Sequence, residues 1–594
     1  MPGIRCGTVH LLLMASFFIA ILFPLDRPPP YTNLITVKSI AVASFGAKPD
    51  DAVNDLPAVE AAITAARNAG VPVEIRFEPG RYIFDCEPTN RAALELSNMN
   101  NLVVSGNGAE IIMKHPEVSF LKIRYATNII VKHFVVDWDP LPFTQGIVEA
   151  VDAVNSTFDL HLDAGFPSLK EPYFARPSFG MLKDKNIPGR MKAAVDDFFQ
   201  NEGFSNVAPD IYRFRLKRKD VIRAFAVGDR FVQYARIASL SGTYSSENVS
   251  FIGITNYSSP GANYVASQSS RLSFLSCAVL LKPGRWASSA ADGVHVQQNR
   301  IGPWVEDCVF EGIADDGVNF YTIPSYPVSN ENGTLSVTRQ QSMVVGDVLR
   351  IFNPRQGLLV HEAKIVTLVN SNGLFALVLD PVVTSSLTFG RSKDADHVYN
   401  MNAMSSHFVI RNNIFRNSRR YGNYIKTHDG IIEGNVYEGL GSTAIIMANE
   451  PDWPEGFVAE RIVVRNNVIR DCGIDGNTPR RGGGIWIDTH MLGGKTGAWR
   501  GMRDIIIASN AIIRPLSMAI NIHSASNVTI ENNIIEMAAK WPEARGSTNV
   551  AVRITNTSAV TFIGNTIRET RGDIPWLATN DCDVFVERNN RIEK

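Results

Sequence analysis

Short runs in which apolar and polar residues alternate recur along most of the chain. Alternation with a period of two predicts β-strands with one buried face, whereas a helix would show apolar residues every three to four positions. The clearest runs are 293–297, 317–321, 422–426, 444–448, 484–488 and 519–523. We therefore expect an all-β protein in which most strands turn one face toward a core.

Asparagine recurs at one place in the short β-rich strings between these runs. The steps between successive members are 22, 32, 43, 23 and 32 residues, and the members are Asn413, Asn435, Asn467, Asn510, Asn533 and Asn565. Cys277 and Cys308 hold the same place earlier in the chain. Repeats of 20 to 50 residues indicate a solenoid, and a buried amide that bonds to the next coil would form a ladder. The pattern predicts a right-handed parallel β-helix with strands roughly 4.8 Å apart.

Two stretches interrupt the repeat, and each contains a Val-Gly-Asp turn followed by an apolar strand. We expect each to form a small β module inserted into a loop of the solenoid. A helix over 58–70, with Pro57 in its first turn, is predicted to cap the open end. The predicted division is 1–30 signal peptide or anchor, 36–142 first coils with the capping helix, 143–240 first module, 241–322 coils with the carboxylates described below, 323–400 second module and 401–594 last coils.

The composition is that of an ordinary globular protein, with 594 residues, 45% hydrophobic residues and a net charge of −1. Near-neutral charge argues against a nucleic-acid partner. An apolar run at 11–25 has the form of a secretory signal and is short for a membrane span, which needs about 20 residues. We expect a secreted or periplasmic protein, with an N-terminal membrane anchor as the alternative, and no other span. The oligomeric state stays open.

Two neighbouring repeats carry Ala-Asp-Gly-Val and Asp-Asp-Gly-Val, which place Asp292 about one coil before Asp315 and Asp316. Stacking would gather three carboxylates on one patch, and their repulsion should raise at least one pKa. Glycosidic hydrolysis uses one protonated and one ionised carboxyl group. A separation of roughly 6.5–9.5 Å between acid and base would admit a water molecule and invert the anomeric configuration. A direct stack reaches that separation only if the turns splay outward.

Other interpretations of the three aspartates stay open. They could cap turns before Gly293 and Gly317, since Asp-Gly is a common turn pair. Stacked aspartates could also ligate calcium, as in a polysaccharide lyase that uses Lys426 or Arg285 as its base. A polygalacturonase-like hydrolase, an epimerase and a non-catalytic binding protein are further alternatives. The histidines and cysteines show no metal-ligand spacing, and no nucleotide-binding motif occurs, so we expect no metal and no cofactor.

Several segments resemble glycoside hydrolase family 110, namely 43–66, 134–146, 291–296 and 314–320. The resemblance covers roughly 41–145 and 248–575. It implies an exo-acting α-1,3-galactosidase that removes terminal galactose from glycans with inversion, on a parallel β-helix with inserted β modules. The aspartates resemble those of polygalacturonases too, but Gly-His-Gly and Arg-Ile-Lys motifs are missing.

By position, the resemblance implies that Asp315 is the general acid and that Asp292 and Asp316 together deprotonate water. It also implies pocket positions in 419–426 and 447–456. Trp486 alternates outward on its strand and would offer its ring to a sugar, unless a neighbouring loop covers it. The candidate substrate contacts are Asp137, His295, Asn319, Glu450, Trp453, Glu455 and Trp486.

Overall fold

The computed structural model describes residues 29–88, 92–175, 179–476, 481–537 and 550–594. Its repeats stack into a right-handed parallel β-helix with three faces, which confirms the predicted fold class. The signal or anchor expected at 1–30 lies almost entirely outside the described residues. Within the described ranges, no helix has both the length and the apolar character needed to cross a bilayer.

Each face is a row of parallel strands in which every strand pairs with those of the preceding and following coils. The first row, called the site face, contains Ala92–Ser97, Ser119–Arg124, Ser241–Tyr244, Tyr264–Ser267, Val294–Gln297, Val318–Tyr321, Asn423–Ile425, Ile445–Ala448, Ile485–Asp488, Ile520–Glu531, Val552–Ile563 and Leu577–Asn580. The second row shares the long strands Ile520–Glu531 and Val552–Ile563 and also contains Lys38–Ala41, Val73–Arg76, Asn100–Ser105, Thr127–Lys132, Glu247–Ile252, Ser273–Leu275, Trp304–Glu306, Phe408–Arg411, His428–Glu433, Glu460–Arg465, Met502–Ala508 and Phe585–Arg588. The third contains Arg81–Phe84, Glu110–Met113, Val135–Trp138, Thr255–Asn256, Ala278–Val279, Val309–Glu311, Ile414–Arg416, Val436–Glu438, Val468–Arg470, Ala511–Ile513, Ile534–Met537, Thr566–Glu569 and Arg591–Glu593.

Apolar side chains that alternate inward fill the solenoid and stack from coil to coil. The rings of Phe310, Phe415 and Tyr437 lie nearly parallel, with successive centroids 5.3 and 5.1 Å apart. Full burial of one such side chain stabilises the fold by roughly 1.5–3 kcal/mol. The parallel register is therefore held by a continuous core as well as by backbone hydrogen bonds.

The asparagine ladder is present as predicted. Asn413 donates to the side-chain oxygen of Asn435 at 2.9 Å, Asn435 donates to Asn467 at 2.9 Å, and the chain continues through Asn510, Asn533 and Asn565 to Asn590. Cys308 precedes the ladder, and its backbone N–H donates to Asn413. Each amide thus satisfies backbone groups that burial would otherwise leave unpaired.

The capping helix spans Leu56–Arg67 and covers the first coil with its apolar face. Asn54, rather than Asp55, caps it, because the Asn54 side chain accepts from the backbone N–H of Leu56. The Asp55 carboxylate accepts instead from the backbone N–H groups of Lys48 and Ile83, which ties the helix to the first coils.

Both interruptions of the repeat form antiparallel β modules whose chains leave from and return to coils beside the site face. The first is a closed barrel of Phe143–Asp152, Thr157–Leu162, Phe179–Lys183, Phe199–Ala208, Ile211–Leu216 and Arg230–Tyr234. The second is a sheet of Pro327–Glu331, Thr334–Thr338, Val348–Asn353, Leu358–Ser371, Leu374–Asp380 and His397–Asn400. A hairpin, His490–Met491 and Lys495–Thr496, also leaves the site face.

Removal of one ladder amide should destabilise the solenoid. In Asn467→Ala, the buried amide groups of Asn435 lose their acceptor, and we expect a loss of about 2–4 kcal/mol in the free energy of unfolding. Urea unfolding followed by circular dichroism measures it. Asn370→Ala, at an exposed strand position of the second module, is the control and should change stability by less than about 0.5 kcal/mol. Equal midpoints for the two variants would show that the ladder does not stabilise the fold.

Candidate active site

Parallel stacking brings the three aspartates together. Asp292 precedes strand Val294–Gln297, and Asp315 and Asp316 precede its neighbour Val318–Tyr321. The backbone N–H of Gly293 donates to the carbonyl of Asp316 at 2.9 Å, and that of Asp316 donates to Asp292 Oδ1 at 3.2 Å. One oxygen of each carboxylate lies within 4.8 Å of the others.

Close packing, rather than turn geometry, requires the glycine after each aspartate. A Cβ at Gly293 would lie 2.4 Å from the carbonyl oxygen of Gly317, and a Cβ at Gly317 would lie 2.4 Å from that of Gly422. Neither glycine has a positive φ. The Asp-Gly pairs are therefore where coils approach most closely, which sets the carboxylates side by side.

Three guanidinium groups surround Asp315. Its Oδ2 accepts from Arg236 Nη2 at 2.8 Å, and its Oδ1 lies 3.4 Å from Arg419 Nη1 and 3.6 Å from Arg420 Nη1. Burial alone would raise the pKa of Asp315, but the charges of Arg419, Arg236 and Arg420 more than offset it and hold that pKa well below its usual range. Asp315 is therefore ionised in the free protein.

Asp316 has the opposite shift. Burial raises its pKa to about 7, the negative charges of Asp315 and Asp292 act in the same direction, and Arg420 opposes them. Among the residues that the structure describes, the side chain of Asp316 accepts one long hydrogen bond, 3.4 Å, from the backbone N–H of Tyr421. Asp316 therefore carries a proton up to near-neutral pH, which fits a general acid.

A chain of polar contacts orients Asp292. Its Oδ2 lies 2.5 Å from His295 Nδ1, and His295 Nε2 lies 2.9 Å from Tyr321 Oη. Burial would lower the pKa of His295, but the hydrogen bond and charge of Asp292 outweigh it and raise that pKa. Tyr321 fixes the far side of the ring, so the Asp292 carboxylate has one held oxygen and one facing Asp316.

The carboxylate cluster has the spacing of a metal site, but arginines already pair with one of its three members. Calcium takes six to eight oxygen ligands and favours ionised carboxylates. Here Asp315 is already neutralised by arginines and Asp316 is protonated near neutral pH. Without a bound cation, the cluster thus holds an ionised and a protonated carboxyl group side by side.

The floor beyond the aspartates is a row of outward positions held in register across successive strands. Asn319 lies beside His295, Tyr424 beside Asn319, and the row continues through Ile446 to Trp486. Lys426, fully buried, bonds through Nζ to Asn319 Oδ1 at 2.9 Å and to Glu455 Oε2 at 3.2 Å.

A loop closes over this floor. The backbones of Glu450 and Glu455 pair with each other, and the Tyr424 hydroxyl donates to Glu450 Oε2 at 3.2 Å. Trp453, at the tip between them, is 74% exposed and points into solvent. The structure thus gathers His295, Asn319, Glu450 and Glu455 near the aspartates and leaves Trp453 outside.

Two of the expected substrate contacts are placed differently from the sequence interpretation. Trp486 lies on the outward row but is only 8% exposed, because Arg481 covers its ring and Tyr421 and Tyr424 pack beside it. It is therefore part of a covered aromatic cluster and offers no open ring face.

Asp137 lies on the third face and makes no contact with the three aspartates among the described residues. Its carboxylate bonds to Arg285 at 2.8 and 3.0 Å and to Lys282 at 2.7 Å. Both oxygens of the Asp137 carboxylate are therefore bonded, and these bonds fix the 282–285 segment against the solenoid. Asp137 has a structural position here, because its strand faces away from the site face.

The structure adds residues that sequence reasoning missed. Arg236 follows the last strand of the barrel, 79 residues before its partner Asp315. No residue spacing in the sequence predicts this contact. Tyr321 could have been found, since it alternates outward two positions after Asn319. Arg419 and Arg420 fall in the segment 419–426 that the family resemblance implied, although their pairing with Asp315 was not foreseen.

Comparison with known proteins adds independent information. A family model described as a right handed beta helix region matches residues 400–592. Alpha-1,3-galactosidase B of Bacteroides thetaiotaomicron is 25% identical over 483 residues, which cover 74% of this chain and 76% of that protein. Alpha-1,3-galactosidase A of Shewanella woodyi is 23% identical over 479 residues, which cover 74% and 77%. A family 28 exopolygalacturonase of Yersinia enterocolitica aligns with 93% of this chain and 78% of its own, at 10% identity and a TM-score of 0.42.

The opposite pKa shifts can be tested by titration. Arg420→Gln removes a positive neighbour and should raise the pKa of Asp316 above about 7, whereas Asp315→Asn removes a negative neighbour and should lower it. Carbon-13 NMR of labelled aspartate side chains follows the change, and Asp316→Asn assigns the signal by its loss. Shifts of the same sign in both variants would contradict the proposed charge balance.

Proposed function

We propose that this protein is a glycoside hydrolase, of glycoside hydrolase family 110, that releases terminal α-1,3-linked galactose from glycans. The observation that carries the proposal is the pair of adjacent carboxyl groups, Asp315 ionised and Asp316 protonated near neutral pH, beside an enclosed polar floor. The names of the relatives support the substrate, and the resemblance of 43–66 and of the two Asp-Gly segments supports the family.

Asp316 is the general acid in this proposal. It protonates the oxygen that leaves with the rest of the glycan, for which it needs the proton that its raised pKa retains. This reverses the division implied by the family resemblance, in which Asp315 is the acid. Asp315 is a poor proton donor because three arginines stabilise its ionised form. Its ionised carboxylate instead holds the three guanidinium groups in place beside the sugar.

Asp292 is the base that takes the proton from the attacking water. His295 and Tyr321 hold its orientation through the contacts at Asp292 Oδ2 and His295 Nε2. The closest carboxylate oxygens lie within 4.8 Å, so the outward splay considered from the sequence is not seen at these atoms. Inversion is proposed on the family resemblance, and the product anomer tests it.

The galactose ring is proposed to bind at the three aspartates, beside the partly exposed side chain of His295 and its in-register neighbour Asn319. Carboxylates and amides there can accept and donate hydrogen bonds to several sugar hydroxyls. The floor suits a neutral sugar, because the charge of Lys426 is already matched by Glu455 at 3.2 Å. A lyase is disfavoured for a related reason, since Lys426 and Arg285 both stand in ion pairs as cations.

We also infer export from the cell, on the apolar run at 11–25 that follows Arg5 and His10. A reporter fused after residue 30 and assayed for secretion tests this, and retention in the cytoplasm would contradict it.

The dependence of kcat/KM on the leaving group distinguishes the general acid from the two other aspartates. Asp316→Asn should lower kcat/KM on an α-1,3-galactosyl oligosaccharide by about 10²–10⁴-fold, but far less on 2,4-dinitrophenyl α-galactoside, whose leaving group needs no proton. Asp292→Asn and Asp315→Asn should lose activity on both substrates. If Asp315→Asn keeps its kcat/KM on the activated substrate and Asp316→Asn loses it, then Asp315 is the acid.

The stereochemistry is read from the first product. Proton NMR during hydrolysis should show β-galactose before mutarotation, as expected when water attacks the face opposite the leaving group. Initial α-galactose would mean retention and would make one carboxylate a nucleophile. An unsaturated uronate, or no galactose from any α-galactoside, would overturn the proposed function.

A further inference from the structure

The outward row that forms the floor of the site also extends toward the N-terminal coils. From His295 it passes through Val265 and Gly242 to Lys122, with each residue in register with the next. Three strand spacings separate His295 from Lys122, a distance of roughly 14 Å. The outward row of the site face therefore continues past the aspartates in both directions.

A cleft of about 410 Å³ lies over this N-terminal stretch. Glu117, Ser119 and Lys122 line one side, and Arg236, Ser239 and Tyr244 line the other. The backbone N–H of Ser239 donates to the Ser119 hydroxyl at 3.2 Å and joins the two walls. The volume is within the range of small-ligand sites, and hydroxyl and charged groups dominate the walls.

The cleft opens directly onto the aspartates. Ala291, immediately before Asp292, belongs to its lining, and Arg236 lines it while donating to Asp315. Arg236 has a φ of +51°, an uncommon value for a non-glycine residue, and this turn of the backbone directs the chain from the barrel back to the solenoid. A molecule bound in the cleft would therefore reach the carboxylates at Arg236.

Two polar groups in the cleft are unpaired. Lys122 is half-buried and has no ion pair with any residue that the structure describes. Gly242 leaves room for the Tyr244 ring to lie across the floor, since a Cβ there would be 2.7 Å from Tyr244 Cε2 and 2.8 Å from its hydroxyl. That hydroxyl makes no hydrogen bond within the described part of the chain.

The two directions of the groove differ in enclosure. Beyond the aspartates toward the C-terminal coils, the outward row is covered, since Tyr424, Lys426 and Trp486 are all buried. Toward the N-terminal coils the cleft is open, which suits a chain that continues into solvent. We propose that the cleft between Lys122 and Arg236 binds the neutral saccharide that leaves when galactose is released. This inference rests on the proposed function.

The test compares an α-1,3-galactosyl tetrasaccharide with 4-nitrophenyl α-galactoside, whose short leaving group ends near Arg236. Lys122→Ala and Tyr244→Phe each remove one hydrogen-bonding group, so each should lower the ratio of the two kcat/KM values, tetrasaccharide over nitrophenyl substrate, about 5-fold. Gly242→Ala should do the same, because the added methyl group displaces the Tyr244 ring. Lys364→Ala, an exposed lysine of the second module, is the control and should leave the ratio unchanged.

A second measurement uses the degalactosylated trisaccharide as an inhibitor of the nitrophenyl reaction. Its inhibition constant should rise about 5-fold in Lys122→Ala and Tyr244→Phe. If neither the ratio nor the inhibition constant changes, while galactose is still released, the cleft is not the saccharide site and the proposed function stands. If no α-galactoside is hydrolysed by the unmodified protein, the proposed function itself fails.

Discussion

The parallel register between neighbouring coils is the constraint on which the site depends. Backbone hydrogen bonds from Gly293 to Asp316 and from Val294 to Gly317 hold two Asp-Gly turns against each other at van der Waals contact. The glycines permit this approach, because a side chain at either one would collide with the next coil. A shift of the strand register by one residue would turn the outward side chains of the site face inward and disrupt the site. Function and fold therefore share the same hydrogen bonds.

Three buried carboxylates at such short range would repel one another strongly unless each were compensated, since an unpaired buried charge costs several kcal/mol. A different group compensates the negative charge of each carboxylate. Arginines neutralise Asp315, a retained proton neutralises Asp316, and His295 pairs with Asp292. In the proposed mechanism, the different neighbours of these identical side chains make one an acid and another a base.

The sequence predicts those parts of the site that depend on the repeat. The asparagine series predicts the stacking of coils, and the 23-residue step from Asp292 to Asp315 predicts their meeting, because both are set by the coil period. It could not reach Arg236, whose position depends on how the barrel folds and returns. It also did not foresee that arginine and tyrosine side chains cover Trp486 or that Arg285 and Lys282 pair with Asp137. Alternation alone shows which way a strand position points, but not what covers it or which of three faces carries it.

The inserted barrel explains why the groove is asymmetric. It leaves the solenoid after the third-face strand Val135–Trp138 and returns at Ser241–Tyr244, so its exit segment lies along the site face. That segment supplies Arg236 to Asp315 and Ser239 to the cleft wall, while Asp197 and Phe198 of the barrel hold Arg419 in place. The same module thus sets the charge of a carboxylate and shapes the open arm of the groove. The other end of the outward row is covered by the 450–455 loop, which is separate from the barrel. A change in the exit segment of the barrel would therefore alter the cleft and the charge around Asp315 together.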